Sequence, residues 1–215
     1  MSRIASLDIP GPAGRLEAIL LTPDEDPQAA GVICHAHPLQ GGTMHFKVVF
    51  PIARSLRQSG LAALRFNFRG VGRSEGVHDQ GRGEQEDARA ALDVLESRYP
   101  GRVLLIGGFS FGSVVALGAG AGDARVGAAF ALGFPAEGLA DATFLARWRK
   151  PLLFIQGERD EFGRPETIGA LSPGAKLEVI AGGDHFFTGR LDLVESALGA
   201  WLASRPWLDS QREAG

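Results

Sequence analysis

Short, almost wholly apolar runs recur along the chain, at residues 31–34, 61–66, 103–106, 126–132, 151–155 and 177–181. Runs without polar alternation are what strands look like when helices cover both faces of a parallel sheet. Between them the apolar positions fall at helical spacing. Residues 46–57 place Phe46, Val49, Phe50, Ile52, Ala53 and Leu56 near a 3.6-residue period. Residues 84–98 align Ala88, Ala91, Leu92 and Leu95 on one face and carry acids in the first turn, where the helix dipole favours them. Residues 111–121 are small and apolar all round, which predicts a helix buried against the centre of the sheet, and 191–203 form a last amphipathic helix. The opening segment differs: residues 4–9 alternate, Pro10-Gly11-Pro12 interrupts, and 16–21 form a second strand, so a hairpin is expected. Strands alternating with helices predict an α/β fold, with a mostly parallel central sheet, helices on both faces and an N-terminal antiparallel hairpin.

The length of 215 residues suits a single domain, 1–215, and neither repeat nor linker divides it. Residues 204–215 read as a frayed tail, with Trp207 as a pin. Apolar residues make up 45% and charged residues 22%, with a net charge of −3. No basic block predicts a nucleic-acid partner. Cys34 is the only cysteine, which excludes an intramolecular disulfide and a cysteine-based zinc site. The N-terminus leads into no apolar signal segment, and no run approaches the roughly 20 residues needed to span a bilayer. A cytoplasmic protein without membrane contact is the expectation. The 30 glycines cluster at Gly41-Gly42, 70–83, 107–122 and Gly182-Gly183, where loops leave apolar runs. A rigid scaffold with its chemistry on the loops follows.

Gly-x-Ser-x-Gly occurs twice, so context must separate the two copies. Gly108-Phe109-Ser110-Phe111-Gly112 follows an apolar strand and runs straight into an apolar helix. That is the setting of a nucleophile elbow, a turn so sharp that side chains two residues either side of the serine would collide. The helix N-terminus beneath it suits a developing oxyanion. Gly72-Arg73-Ser74-Glu75-Gly76 opens instead into the polar loop Val77-His78-Asp79-Gln80, and reads as a glycine-rich turn. Ser110 is therefore the predicted nucleophile.

A serine hydroxyl needs a base to take its proton. In this setting the acid and then the histidine follow the serine along the chain, and of five histidines only His185 does. The acid belongs on the loop after the run 151–155, which reads Gln156-Gly157-Glu158-Arg159-Asp160-Glu161. Asp160 is preferred, with Glu158 and Glu161 as rivals. Asp184 is disfavoured because adjacent side chains rarely orient each other in this way. The acid fixes the imidazole tautomer and stabilises the imidazolium. For the oxyanion hole, one donor is expected at the Phe111 N–H and a second on the loop 35–44. Pro38 has no N–H, so Leu39 is the first candidate there and Gln40 the second. His35 and His37 would share a face of an extended segment, a spacing that can hold a metal. No carboxylate lies nearby, and Cys34 points to the opposite face. Imidazoles that hydrogen-bond the loop into shape are the favoured reading, with no metal.

These stretches together resemble the small, lidless members of the α/β-hydrolase superfamily, related in outline to dienelactone hydrolases and bacterial carboxylesterases. The likeness rests on His35-Ala36-His37-Pro38-Leu39-Gln40-Gly41-Gly42-Thr43-Met44, on Leu64 to Ser74 with its Arg69-Gly70-Val71-Gly72-Arg73-Ser74, and on Gly108 to Gly112. Gly157-Glu158-Arg159-Asp160 and Gly183-Asp184-His185-Phe186-Phe187 complete it. The resemblance implies that the Arg-Gly-x-Gly-x-Ser segment is a shared structural turn, which again demotes Ser74. Serine stands where dienelactone hydrolases carry a cysteine nucleophile, so their particular substrate does not transfer. Enzymes of this fold often insert a cap after the strand that is here 126–132. Residues 133–150 leave room for one helix and no cap domain. Phe109, Phe111, Leu39, Phe134, Phe162 and Phe186 are candidates for an apolar substrate wall, with core packing as the alternative for each.

The expected function is hydrolysis of small or short-acyl esters through an acyl-enzyme, without cofactor, its partner being the ester substrate. A thioesterase or amidase would use the same triad, and a catalytically silent binding protein on this fold is the rival from another class. The oligomeric state is open, a homodimer included.

Overall fold

The computed structural model describes residues 3–139, 142–146, 148–205 and 207. Its strands are β1 (Arg3–Gly11), β2 (Gly14–Thr22), β3 (Ala29–Cys34), β4 (Leu61–Phe66), β5 (Val103–Phe109), β6 (Val126–Leu132), β7 (Leu152–Gly157) and β8 (Lys176–Ile180). They form one eight-stranded sheet in the order β1-β2-β4-β3-β5-β6-β7-β8. β1 and β2 make the antiparallel hairpin, closed at Gly11 opposite Gly14, and β2 runs antiparallel to β4. From β4 to β8 every pairing is parallel. The helices are α1 (Val49–Gln58), α2 (Arg82–Arg98), α3 (Phe111–Gly120), α4 (Thr143–Ala146), α5 (Pro165–Leu171) and α6 (Leu191–Ala203).

β3, β4 and β7 are buried at every position, as their largely apolar runs require. Successive residues feed opposite faces. Ala30, Val32 and Cys34 enter one core, closed by Ala88, Leu92 and Leu95 of α2 and Val115 and Ala116 of α3. Ala29 and Ile33 enter the other, closed by Ile52 and Leu56 of α1 and Val194, Leu198 and Trp201 of α6. Buried Arg65 is the polar exception in β4: its guanidinium donates to the Met44 carbonyl at 2.9 Å and lies 4.2 Å from the Phe50 ring centre.

Some boundaries differ from the periodicity. α1 starts at Val49, because residues 43–48 close into turns bonded from Phe46 N–H to Thr43 and from Val49 N–H to Phe46. α2 starts two residues early, at Arg82, because the fully buried Glu84 carboxylate turns back to accept the Gly81 N–H at 2.8 Å. The 133–150 stretch holds a short 3₁₀ turn (Ala136–Gly138) and the single turn of α4, and among the described residues there is no cap domain. α5 lies outside the predicted elements; Ile168 is its one buried residue, too little for an apolar stripe. Trp207 is buried in the core of the α1–α6 face. The rest of the predicted frayed tail, beyond residue 207, lies outside the described residues. Among those described, no helix is long and apolar enough to cross a membrane.

Phe130 on β6 is fully buried in the α1–α6 core, and its ring fills the space a side chain at Gly107 would need. Phe130→Ala should lower the unfolding free energy by about 3–5 kcal/mol in urea denaturation. A loss below about 1 kcal/mol would contradict this packing.

Candidate active site

β5 ends at Phe109, α3 begins at Phe111, and Ser110 alone makes the turn between them. Its φ of 55° and ψ of −126° lie where a non-glycine residue is strained, so neighbours must hold it. They do: the Ser110 N–H donates to Leu132 at 2.9 Å, and the Ser113 hydroxyl donates to the Ser110 carbonyl at 2.6 Å. The flanking glycines are needed for a broader reason than mutual collision. A Cβ at Gly108 would stand 2.5 Å from the Cys34 carbonyl oxygen and 2.6 Å from that of Gly112. A Cβ at Gly112 would meet the carbonyls of Cys34 and His35. The elbow lies directly on the end of β3, backbone against backbone.

Two further loops reach Ser110 from the same sheet edge. After β8, Gly182 (φ 62°) turns the chain, and buried Phe187 anchors the loop in the α1–α6 core. After β7, the acid-bearing loop bonds to this one through Glu158 N–H to Ile180 (3.0 Å) and Arg159 N–H to Gly183 (2.8 Å). A Cβ at Gly157 would strike the carbonyls of Gly183 and Asp184, both 2.6 Å away. The result is a continuous row. His185 Nε2 lies 2.9 Å from Ser110 Oγ, and His185 Nδ1 lies 2.8 and 3.0 Å from the Asp160 carboxylate oxygens. The tautomer that satisfies both contacts carries its proton on Nδ1 and leaves Nε2 free to accept from the serine hydroxyl. His185 and Asp160 are buried at 7% and 2% exposure, and the imidazole is flanked by Phe109, Phe162 and Phe186.

The rival acids are occupied elsewhere. Glu158 accepts the Gly182 N–H, Asp184 accepts the Thr188 N–H, and Glu161 is exposed. Ser74 is equally committed: its hydroxyl donates to the Asn67 carbonyl at 2.7 Å and accepts the Glu17 N–H at 2.9 Å. Arg73 pairs with Glu17, which also accepts from the Asn67 amide. The second glycine-serine motif thus buckles the hairpin to the end of β4.

One polar residue at the site escaped the sequence reading. Gln156, fully buried at the end of β7, donates from Nε2 to Asp160 Oδ2 at 2.6 Å. The signal was present, a glutamine directly continuing an apolar strand run.

Phe111 opens α3, so its N–H has no partner within the helix. On the opposing loop, residues 38–40 form a 3₁₀ turn capped by His37. The Leu39 N–H, the first-choice second donor, is engaged by His37 Nδ1 at 3.2 Å, and the Gln40 N–H bonds the His37 carbonyl at 3.0 Å. Leu39 projects outward at 75% exposure. The His35 ring has both nitrogens in use: Nδ1 donates to Ala36 O (2.7 Å) and Nε2 accepts the Phe68 N–H (3.1 Å). Neither nitrogen is left for a metal, and the imidazole ties the loop to the segment after β4.

Ser110 opens into a cleft of about 410 Å³. One wall is apolar, built from Phe111, Val114, Pro135, Leu139 and Phe162; the other carries His37, Gln40, Gln80 and Arg82. Gln80, like Ser110, holds a positive φ (53°). The expected phenylalanine wall needs correction. Phe109 and Phe134 are fully buried: Phe109 turns to the α1–α6 core and Phe134 packs on Phe154 in the other. Phe186, half-exposed, packs beside His185 against Phe46, and neither it nor Leu39 lines this cleft. Behind the polar wall, His78 Nδ1 meets Glu84 at 2.8 Å. Burial alone would raise the Glu84 carboxyl, but N–H groups including those of Asp79 and Gly81 outweigh it and hold it below the usual carboxylate range. Burial, and then the neighbouring His78, lowers His37.

Comparison with known proteins bears on this arrangement. A family model described as an alpha/beta hydrolase domain matches residues 29–197. An uncharacterized protein of Rickettsia prowazekii (strain Madrid E) is 32% identical over 204 residues, spanning 89% of this chain and 86% of that one. The structure of an alpha-beta serine hydrolase homologue from Coxiella burnetii is similar with a TM-score of 0.86 and 36% identity, covering 93% of this chain and 97% of its own. A serine hydrolase without lid from Xanthomonas campestris gives a TM-score of 0.84 at 34% identity, covering 95% of each chain.

His35 supplies a pH test of the loop it holds. Burial pushes its imidazole down to about 4 from an ordinary 6.5. Between these values the unfolded chain binds a proton that the folded chain refuses, so stability is full above pH 6.5 and falls as the pH drops toward 4. The loss should reach on the order of 3 kcal/mol in denaturant titrations, and His35→Gln should flatten that slope. Equal slopes for the two proteins would contradict a buried neutral His35.

Proposed function

The chain belongs to the alpha/beta hydrolase family, and from that premise we propose that it is a serine hydrolase, a carboxylesterase acting on small or short-acyl esters through an acyl-enzyme. The observation that carries this reading is the unbroken row from Ser110 Oγ to His185 Nε2 (2.9 Å) and from His185 Nδ1 to Asp160 (2.8 Å), mounted on a strained elbow.

In the first half-reaction Ser110 Oγ attacks the ester carbonyl carbon, and its proton passes to His185 Nε2. The imidazolium so formed faces the Asp160 carboxylate, which stabilises it in a buried setting where charges act strongly. Collapse of the tetrahedral adduct breaks the bond to the alcohol oxygen, and His185 returns the proton to that leaving group. A water molecule then repeats the sequence on the acyl-serine, releasing the acid and restoring Ser110. The Phe111 N–H at the start of α3 suits the oxyanion, since preorganised backbone donors cost no rearrangement as charge develops. Leu39 would serve as second donor once its N–H leaves His37 Nδ1, a contact of 3.2 Å at the outer end of the hydrogen-bond range.

The cleft favours a modest substrate. About 410 Å³ open to solvent accommodates a short acyl chain against Phe111, Val114 and Leu139, whereas a long chain would find no enclosing cap.

A fluorophosphonate probe should label the wild type and leave Ser110→Ala unlabelled. On p-nitrophenyl esters of graded chain length, Ser110→Ala should lose about 10⁴–10⁶-fold in turnover, and wild-type rates should decline beyond short acyl groups. Labelling of neither protein would favour a binding role for the fold, and full activity in Ser110→Ala would move the nucleophile elsewhere.

A further inference from the structure

β7 is buried along its whole length, yet it ends on a glutamine with no exposure to solvent, followed only by Gly157. A carboxamide so placed is costly unless each polar atom finds a partner, and here each does. Gln156 Oε1 accepts the Phe134 N–H at 2.9 Å, while Nε2 donates to Asp160 Oδ2 at 2.6 Å and to the Gly163 carbonyl at 2.7 Å. The orientation of the amide is fixed by chemistry: a backbone N–H can only donate and a carbonyl can only accept, so a flipped amide would fail on both sides. An N–H must therefore face Asp160. The Phe162 N–H at 2.9 Å and His185 Nδ1 donate to the same carboxylate.

We infer that Gln156 is a positioning residue for the hydrolytic reaction, acting on His185 through Asp160. Its amide holds the buried carboxylate in the plane that presents both oxygens to His185 Nδ1. It also ties the acid loop to Phe134, in the segment that follows β6. The β6 end in turn accepts the Ser110 N–H through Leu132. Acid, base and nucleophile are thereby referred to one frame. This inference rests on the hydrolase reading above.

The discriminating change is Gln156→Glu, which keeps the shape of the side chain and the acceptor toward Phe134. The second oxygen of the new carboxylate would face Asp160 Oδ2 and the Gly163 carbonyl, three acceptors together, tolerable only with a proton between the carboxyls. As the pH rises that proton leaves, and repulsion drives Asp160 from His185. Other ionisable groups nearby do not supply this behaviour. Among the described residues His185 is the one that touches Asp160; Glu158 is bonded to Gly182, Asp184 to Thr188 and Glu137 to the Thr167 hydroxyl, and Arg159, Glu161 and Arg164 are exposed.

The test compares pH–rate profiles of wild type, Gln156→Glu and Gln156→Met on p-nitrophenyl acetate, with folding followed by circular dichroism. Gln156→Glu should gain a descending alkaline limb absent from the wild type, at least about tenfold deep and reversed on lowering the pH. Gln156→Met should lose about ten- to hundredfold in kcat with KM within about twofold, as expected for one missing hydrogen bond to a charged group. Parallel profiles for wild type and Gln156→Glu, or an unchanged kcat in Gln156→Met, would overturn the proposal. Should Gln156→Glu not fold, Gln156→Met decides alone. A wild type that neither turns over ester nor takes the fluorophosphonate would instead count against the hydrolase reading. The low-field proton resonance of His185 Nδ1–H then tests Gln156 without substrate: it should move in Gln156→Met, and an unmoved signal overturns the inference.

Discussion

The site depends on one steric constraint, the contact of the β5–α3 turn with the last residues of β3. Gly108 and Gly112 lie against the Cys34 and His35 carbonyls with no room for a methyl group. Because the turn cannot relax outward into that backbone, Ser110 is kept in a conformation it would otherwise abandon. The same contact sets the height of α3, whose first N–H lies beside the serine. It also fixes the start of the loop that carries His37 and Leu39, since His35 is at once part of the wall and the buried imidazole that bonds Phe68. Chemistry and packing share residues here.

Much of this was readable because it is written in residue types with few alternatives. A parallel sheet covered on both faces leaves runs without alternation, and a tight elbow leaves glycines two residues either side of a serine. The order of serine, acid and histidine then singles out His185 and confines the acid to the loop 156–161, where Asp160 is preferred over Glu158 and Glu161 and is the one that meets the imidazole. What escaped depends on direction and on tertiary pairing, to which local pattern is blind. Phe109 and Ser110 are neighbours in sequence, but the last residue of a strand and the turn after it face different ways, so Phe109 enters the core while Ser110 meets the cleft. Leu39 possesses an N–H, and nothing in the string reveals that His37 engages it. Gln156 looked like the first polar residue of a loop, whereas the strand carries it inside to meet Asp160. α5 buries too few side chains to leave a stripe.

The two glycine-serine motifs illustrate how little a string decides. Both bring a serine into a sharp turn, and both hydroxyls are hydrogen-bonded. Ser74 directs its bonds to backbone groups of Asn67 and Glu17, which joins the hairpin to β4. Ser110 meets a titratable imidazole with an unshared electron pair. The difference lies in the partner. It follows from what each turn opens into, a polar loop in one case and the buried helix α3 in the other.

The loops bearing Asp160 and His185 are laced together through Arg159 and Gly183 and pressed into contact at Gly157. They constitute a single unit that holds carboxylate and imidazole in register. The polar lip formed by Gln40, Gln80 and Arg82 belongs to other segments of chain. Substitution at those positions can therefore reshape the mouth of the cleft while the row Ser110–His185–Asp160 stays untouched, so that entrance and row vary independently on one scaffold.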